Sequence, residues 1–367
     1  MTQRVLRDID VIARAGLDLE TFLDETMTSL SRAVPHVAAC VASVDPATLL
    51  LTGTYKFGDL VGRDAHDHEW GLREYGNQDA TSFRDLARRD DPAVAVSLVR
   101  KHEEAASSRV RDFMTPVFGY TDELRVVAKD RGQAWGGIAL FRDPETGTFD
   151  EDDVALMNAL SPALCHGIRT GLLATGSPDM EPSENGPAVI IIGADGQVKQ
   201  FSAGAAERVA ELLGTITTLE ADGMITSLVG ASRRYAAGLE SLPPRARVRS
   251  RSGMWHVLHA SPMFGPGGAG GDVVVTIDEA RPPEIVPLVV AAFGLTQRER
   301  DVTQLVLQSL DTKEIASALH LSTWTVQDHL KAVFEKAGVR SRRELIARIY
   351  FDQYVPRMRT DAADSWG

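Results

Sequence analysis

Residues 295–350 read LTQRERDVTQLVLQSLDTKEIASALHLSTWTVQDHLKAVFEKAGVRSRRELIARIY and contain four helix-sized segments. Three open on a capping signature. Thr296-Gln297-Arg298-Glu299 heads Val302, Leu305 and Val306, and Asp311-Thr312-Lys313-Glu314 heads Ile315, Ala316, Ala318 and Leu319. Ser341-Arg342-Arg343-Glu344 heads Leu345, Ile346 and Ile349. In such a box the cap oxygen accepts from an orphan amide of the first turn while the glutamate accepts from the cap amide. Three boxes within about fifty residues delimit short helices joined by tight turns, the build of a small all-α domain.

The third segment starts at Ser322, its expected cap, and ends at Gly338. At about 100° per residue, Val326, Leu330 and Val333 share one face, flanked by His329 and Phe334. Trp324, Gln327, Asp328, Lys331 and Glu335 fall opposite. The segment Lys313 to Leu319 precedes it across His320-Leu321-Ser322. Two short helices across a tight turn, the second turning amides and charges outward, describe a helix-turn-helix whose second helix enters the major groove. Gln327 and Lys331, one turn apart, are candidates for base edges, since an amide suits adenine and an ammonium suits guanine. Asp328 accepts from cytosine or repels wrong sequences. Thr323, Thr325, Lys313, Lys336 and Arg342 are candidates for phosphate, and Trp324 for backbone or base contact. Val302, Ile315, Ala316, Leu319, Val326, Leu330 and Leu345 are expected in the core.

Leu295-Thr296-x-Arg298-Glu299, Thr312-Lys313-Glu314-Ile315-Ala316, Leu321-Ser322-x-x-Thr325-Val326-x-x-His329-Leu330 and Lys336-x-Gly338-Val339 resemble the LuxR/NarL-type DNA-binding domain in order and spacing. The resemblance covers about 60 of the 367 residues. It implies a regulator of transcription that dimerises through its fourth helix, where Leu345, Ile346, Ile349 and Tyr350 offer more apolar surface than inward packing needs. A two-fold dimer implies an inverted repeat in promoter DNA, and RNA polymerase is a further candidate partner. One departure is Ser309, where the family usually has glycine after the first helix. Serine there is expected in a left-handed turn at a cost of about 1 kcal/mol.

The chain is 44% hydrophobic and 25% charged, the composition of soluble globular protein, and its length suggests two or three domains. No apolar run approaches the roughly 20 residues needed to cross a bilayer, and the amino terminus lacks the apolar core of a signal peptide. A cytoplasmic location is expected, with Cys40 and Cys165 as buried thiols. Net charge is −12, yet residues 293–350 hold nine Lys and Arg against seven Asp and Glu. That segment is therefore +2 and the remainder −14. An acidic body suppresses non-specific phosphate attraction and calls for a well-matched site or a dimer.

The expected architecture is multidomain: two α/β (α+β) sensor domains followed by an all-α four-helix domain. In residues 1–174 an amphipathic helix, Leu19 to Val34, precedes strand-like runs at His36 to Val44 and Thr48 to Tyr55. A helical segment is expected at Ala93 to Phe113, strands at Glu123 to Lys129 and Ala134 to Phe141, and a closing helix from Glu151 to Leu173, interrupted near Pro162. Glu123-Leu124-Arg125-Val126-Val127 followed by Trp135-Gly136-Gly137-Ile138-Ala139-Leu140 resembles the GAF fold, a small-molecule sensor module. Residues 175–187 read as a linker. In 188–281, the hairpin Val189-Ile190-Ile191-Ile192-Gly193-Ala194-Asp195-Gly196-Gln197-Val198, later strands from Arg245, Met254 and Val273, and helices between resemble a PAS domain. Residues 282–292 connect it to the reader at 293–354, and 355–367 form a tail. The small-molecule signal is unnamed, and no cofactor is expected.

Several local patterns compete with this reading. Gly265-Pro266-Gly267-Gly268-Ala269-Gly270 has the letters of a dinucleotide fingerprint but runs into strand, as a hairpin loop does. His66-Asp67-His68-Glu69 stands without a second ligand box, so no metal is assigned. Arg245, Arg247, Arg249 and Arg251 alternate, as on a solvated strand face or one meeting an anionic partner. Trp70, Tyr75 and Phe83 suit a core or a ligand pocket. A response regulator or sigma-like protein controlled by a protein partner is the rival reading. No phosphate loop, nucleophile elbow or His-Glu-x-x-His occurs, so no enzyme is expected.

Overall fold

The structure is a computed structural model and describes residues 2–76, 80–99, 108–174, 186–213, 223–250, 253–265 and 270–350. The chain forms two units. One takes 1–174, 183–250 and 256–278; the other takes 175–182, 251–255 and 279–367.

The first unit opens with α1 (Thr2–Ala13) and α2 (Leu19–Leu30). Val5, Ile9 and Ala13, four residues apart, are buried on α1, a stripe that makes the amino terminus a helix. Asp18 caps α2 through the Thr21 amide at 3.0 Å, and α2 ends at Leu30, short of Val34. β1 (Ala38–Val44), β2 (Leu51–Gly58), α3 (Asp67–Gly76), α4 (Phe83–Leu86), β3 (Ala93–Ala95) and α5 (Val96–Val99) follow. A π-helical turn, Val110–Met114, leads into α6 (Thr115–Phe118), then β4 (Asp122–Asp130), β5 (Gln133–Arg142) and α7 (Glu151–Leu173).

Two expectations fail here. The stretch from Ala93 begins as strand because Ala93, Val94 and Ala95 pair antiparallel with Val126, Arg125 and Leu124 at the sheet edge. Residues 100–107 of that expected helix lie outside the described residues. α7 also runs through Pro162 without interruption. Pro162 is exposed, so its ring lies on the outer side of the helix, where a proline is accommodated most readily.

A second five-stranded sheet belongs to the same unit. β6 (Ala188–Ile192) and β7 (Val198–Phe201) form a hairpin, α8 (Ala205–Leu213) and α9 (Gly223–Ala236) follow, and β8 (Arg245–Arg249), β9 (Trp255–Phe264) and β10 (Gly270–Glu279) complete it. The strand orders are β2-β1-β5-β4-β3 and β7-β6-β10-β9-β8. Each sheet therefore runs 2-1-5-4-3 in its own numbering, a repeat of topology that no sequence period discloses. The pairings β1–β2, β1–β5, β3–β4, β4–β5, β6–β7 and β6–β10 are antiparallel. They are unlike the parallel sheet that a phosphorylated receiver requires.

The two sheet layers share a core. Ala42, Leu51 and Tyr75 pack with Ile190, Ile225 and Leu228, and α9 is buried from Met224 to Ser232. Helices α3 and α9 approach closely through glycine: a Cβ at Gly71 would meet Thr226 Cγ2 at 3.0 Å. β8 lies beside β2, and this overturns the solvated arginine face. Arg247 is buried, with Nε 2.7 Å from Asp45 Oδ2 and Nη2 2.6 Å from Oδ1. Arg249 donates to the carbonyls of Leu172 and Ala174 at the carboxyl end of α7, and burial pushes it down to about 10. Arg251 lies outside the described residues, as do Pro266 to Ala269 of the glycine loop, residues 175–185 of the linker and everything after Tyr350.

The second unit holds α10 (Pro282–Ala292), α11 (Gln297–Leu307), α12 (Thr312–Leu319), α13 (Thr323–Ala337) and α14 (Arg342–Tyr350). Val302, Val306, Ile315, Ala316, Val326, Leu330, Val333 and Leu345 are its core, while Leu319 is half-exposed. The stretch expected only to connect is helical. Its Ile285, Leu288 and Val289 are buried, and α10 packs against α14.

Candidate nucleic-acid interface

The reader is built from its caps. Thr296 Oγ1 accepts from the Glu299 amide at 3.3 Å while Glu299 Oε2 accepts from the Thr296 amide at 2.7 Å. Asp311 and Glu314 close the same box on α12, at 2.9 and 2.6 Å. The third differs from expectation. Ser341 Oγ takes the Glu344 amide, but Glu344 reaches past the cap to the Arg340 amide at 2.8 Å. On α13, Ser322 Oγ accepts from the Thr325 amide at 3.0 Å and Gly338 ends the helix in the left-handed region.

Left-handed residues stand in the turns on both sides of α12, Ser309 between α11 and α12 and His320 between α12 and α13. His320 has φ 53° and Ser309 φ 66°, so two L side chains occupy conformations that glycine holds without strain. Serine at 309 is left-handed as its departure from the family pattern implies.

The two faces of α13 separate cleanly. Val326, Leu330 and Val333 are buried, whereas Thr323, Trp324, Gln327, Asp328 and Lys331 are exposed, Trp324 by 70%. Little of so exposed an indole is spent on packing. Lys313 is exposed on α12, and Thr325 is half-buried with its hydroxyl 2.8 Å from Ser322 Oγ. Two nominated phosphate ligands already hold partners within the second unit. Lys336 Nζ binds both oxygens of Glu299. Arg342 donates to Leu310 O at 2.7 Å and Thr312 Oγ1 at 2.9 Å, tying α14 to the turn before α12.

The apolar surplus expected on α14 is smaller than its sequence suggests. Leu345 and Ile349 are fully buried within the unit, so neither is free to meet a second copy; only Ile346 and Tyr350 remain half-exposed. α10 packs against α14 within the same unit.

In the first unit a cavity of about 60 Å³ lies between β1 and α3, walled by Cys40, Ala42, Trp70, Tyr75 and Phe83 and closed by Gly223 of α9. The three aromatics therefore serve as core and as cavity wall together. Lys56, 2.6 Å from Asp67, stands at the wall, as does Arg125, whose Nη2 is 2.7 Å from Glu74 Oε2. Behind them Arg109 Nη2 donates to Glu123 Oε2 at 2.8 Å. Such a volume holds a few water-sized groups, well below the roughly 300 Å³ at which drug-sized ligand sites begin. Burial pushes the Cys40 and Cys165 thiols up to about 12, and the two do not form a disulfide with each other. His66-Asp67-His68-Glu69 diverges: His66 lies edge-on to Phe118, His68 Nδ1 is 2.9 Å from Thr226 Oγ1, and Glu69 pairs with Arg73.

The sequence profile of bacterial regulatory proteins of the luxR family matches residues 294–349. The spore germination protein GerE of Bacillus subtilis (strain 168) is 42% identical over 55 residues, 15% of this chain and 74% of GerE. The chain belongs to the luxR family. A second relative, a putative HTH-type transcriptional regulator of Aeromonas salmonicida, is 49% identical over 51 residues, and there the match spans 26% of the relative. The luxR-family match thus covers α11 to α14 and leaves the sheet-bearing unit outside it. Among solved structures, the GAF domain of an Acinetobacter phosphoenolpyruvate-protein phosphotransferase aligns with 49% of this chain and 98% of its own. The TM-score is 0.31 and the identity 17%. No helix among the described residues is long and apolar enough to cross a membrane.

Proposed function

We propose that this luxR-family regulator binds promoter DNA through α13 and that its first unit, a GAF-like and a PAS-like module, senses a signal. One observation carries the reading of the site. Gln327, Asp328 and Lys331 project from a helix whose opposite face is locked by Val326, Leu330 and Val333. A rigid helix with amide, carboxylate and ammonium groups outward matches the donors and acceptors of major-groove edges. Lys313, Thr323, Thr325 and Trp324 flank that row and are assigned to phosphate or sugar. The net +2 of residues 293–350 is small for a DNA reader, which favours two copies on an inverted repeat. Ile346 and Tyr350 are the surface available on α14 for pairing. The two sheets with one strand order support reading both as sensor modules, and the walled cavity supports a compact ligand in the first. Selection from a random DNA library, followed by titration of the selected site at several salt concentrations, tests the reading. Recovery of a two-fold motif whose affinity exceeds that of scrambled DNA by about 10³ or more is the expected result. Binding that ignores sequence overturns it.

A further inference from the structure

A second cleft, of about 280 Å³, opens where the two sheet modules of the first unit meet, lined in part by Thr48, Leu50, Arg84, Arg88, Glu240 and Ser241. Beside it sits a cluster of unequal charge. Arg84, at α4 of the first module, and Arg234, on α9 of the second, donate to the same atom, Glu240 Oε1, the latter at 2.5 Å from Nε. Each arginine also has an Nη2 that is buried and has no partner among the described residues. Arg88 adds a third cation but carries Asp85 at 2.9 Å. Three guanidinium groups therefore face two carboxylates, and one carboxylate oxygen serves two forks. Each fork is built to hold two oxygens. Burial and the neighbouring Arg84 hold Arg234 below its ordinary range, as a surplus of buried positive charge requires.

We propose that Arg84 and Arg234 form an oxyanion site at the joint between the modules, occupied internally by Glu240. A small metabolite bearing a phosphate or carboxylate group binds in the adjoining cleft by displacing that carboxylate. A tetrahedral or planar oxyanion offers the two unsatisfied Nη2 groups an acceptor each, which Glu240 Oε1 alone does not. Since the arginines come from different modules, occupancy changes how firmly α4 and α9 are pinned together. The oxyanion site requires no DNA and is separate from the α13 interface.

Equilibrium dialysis of the full chain with labelled inorganic phosphate, at ionic strength fixed with chloride, tests it; succinate as competitor separates the carboxylate source from the phosphate source. The wild-type chain should bind one phosphate saturably. Glu240→Gln, which removes the internal competitor, should bind about tenfold more tightly, and Arg84→Met about tenfold or more weakly. Thermal unfolding gives an independent readout: Glu240→Gln should melt lower than wild type in chloride and recover in phosphate. Absence of saturable binding in both wild type and Glu240→Gln, with no recovery in phosphate, overturns the proposal and leaves a structural ion cluster. Undiminished binding by Arg84→Met overturns it equally.

Discussion

Lys336 Nζ lies 2.7 Å from Oε1 and 2.6 Å from Oε2 of Glu299, 37 residues earlier in the chain. One carboxylate thus caps the start of α11 and anchors the last turn of α13. Its side chain is only 7% exposed, so removing the ammonium leaves a charge with the Thr296 amide as its remaining support. Lys336→Ala is expected to destabilise the second unit by about 1–3 kcal/mol. Hydrogen exchange should quicken along α11 and α13, and any loss of DNA affinity should follow the unfolded fraction. Unchanged exchange combined with uniformly weaker DNA binding would return Lys336 to a phosphate contact.

The same pair sets an acid limit. Burial pushes the Glu299 carboxyl up, but hydrogen bonds from Lys336 and Thr296 outweigh it and hold the group below its ordinary 4.5. On acidification the unfolded chain therefore takes up this proton before the folded one. The contribution to stability is complete above about pH 4.5 and is lost as pH falls through the lower folded value. Glu299→Gln should be less stable than wild type at pH 7, with the gap shrinking below about pH 4.5. Urea titrations at pH 7 and pH 4 measure the two gaps; equal gaps would show that the carboxylate is not the source.

Local chemistry made the reader legible in sequence, and distant chemistry hid the rest. Caps, helix period and turn residues lie within a few positions of one another, so Thr296, Asp311 and Ser322 announce their helices before any fold is known. Asp45 and Arg247 are 202 residues apart, and alternation alone cannot say that a strand's polar face meets a carboxylate across a module joint. The buried cluster of Glu74, Arg109, Glu123 and Arg125 left one trace, a Glu-x-Arg inside an otherwise apolar strand at 123–127. Leu345 is buried as its place in the expected core requires, so only its second assignment, to a dimer seam, fails; Ile349 is buried as well, on a helix that packs against α10, which sequence alone suggests only as a connector.

Ser309 gives a direct test of backbone strain. Its φ of 66° lies where an L side chain meets its own carbonyl, and the side chain is exposed. Ser309→Gly should stabilise the second unit by about 0.5–1 kcal/mol, with the entropy of the unfolded glycine offsetting part of the gain. Calorimetric melting reads this as a rise in the midpoint of the carboxyl-terminal transition. A fall would mean that serine makes a compensating contact.

At the module joint, Asp45 and Arg247 form a two-pronged pair with side chains 1% and 4% exposed. Breaking such a pair strands a buried charge, so Asp45→Asn should cost about 3–5 kcal/mol. Replacing both partners removes the stranded charge as well. Asp45→Asn combined with Arg247→Leu is therefore expected to be more stable than Asp45→Asn alone. A double-mutant cycle from urea denaturation decides it, and additive losses would show that the pair is not coupled.

The proposed reading gives Lys331 and Trp324, both exposed on α13, different roles on DNA. Lys331 is exposed one turn beyond Gln327, in the row proposed to read base edges, whereas Trp324 stands in the first turn of α13. An ammonium at a guanine edge discriminates among bases, so Lys331→Ala should weaken the selected site by about 1–3 kcal/mol and relax one position of the motif. With the indole assigned to phosphate or sugar, Trp324→Ala should weaken matched and scrambled DNA alike. Both variants leave the buried face of α13 intact, so their melting midpoints should match wild type and any loss belongs to the interface. Titrating each against matched and scrambled duplexes at two salt concentrations separates the roles. Equal losses on both duplexes for Lys331→Ala, with a shallower salt slope, would make it a phosphate ligand and move base reading to Gln327 and Asp328.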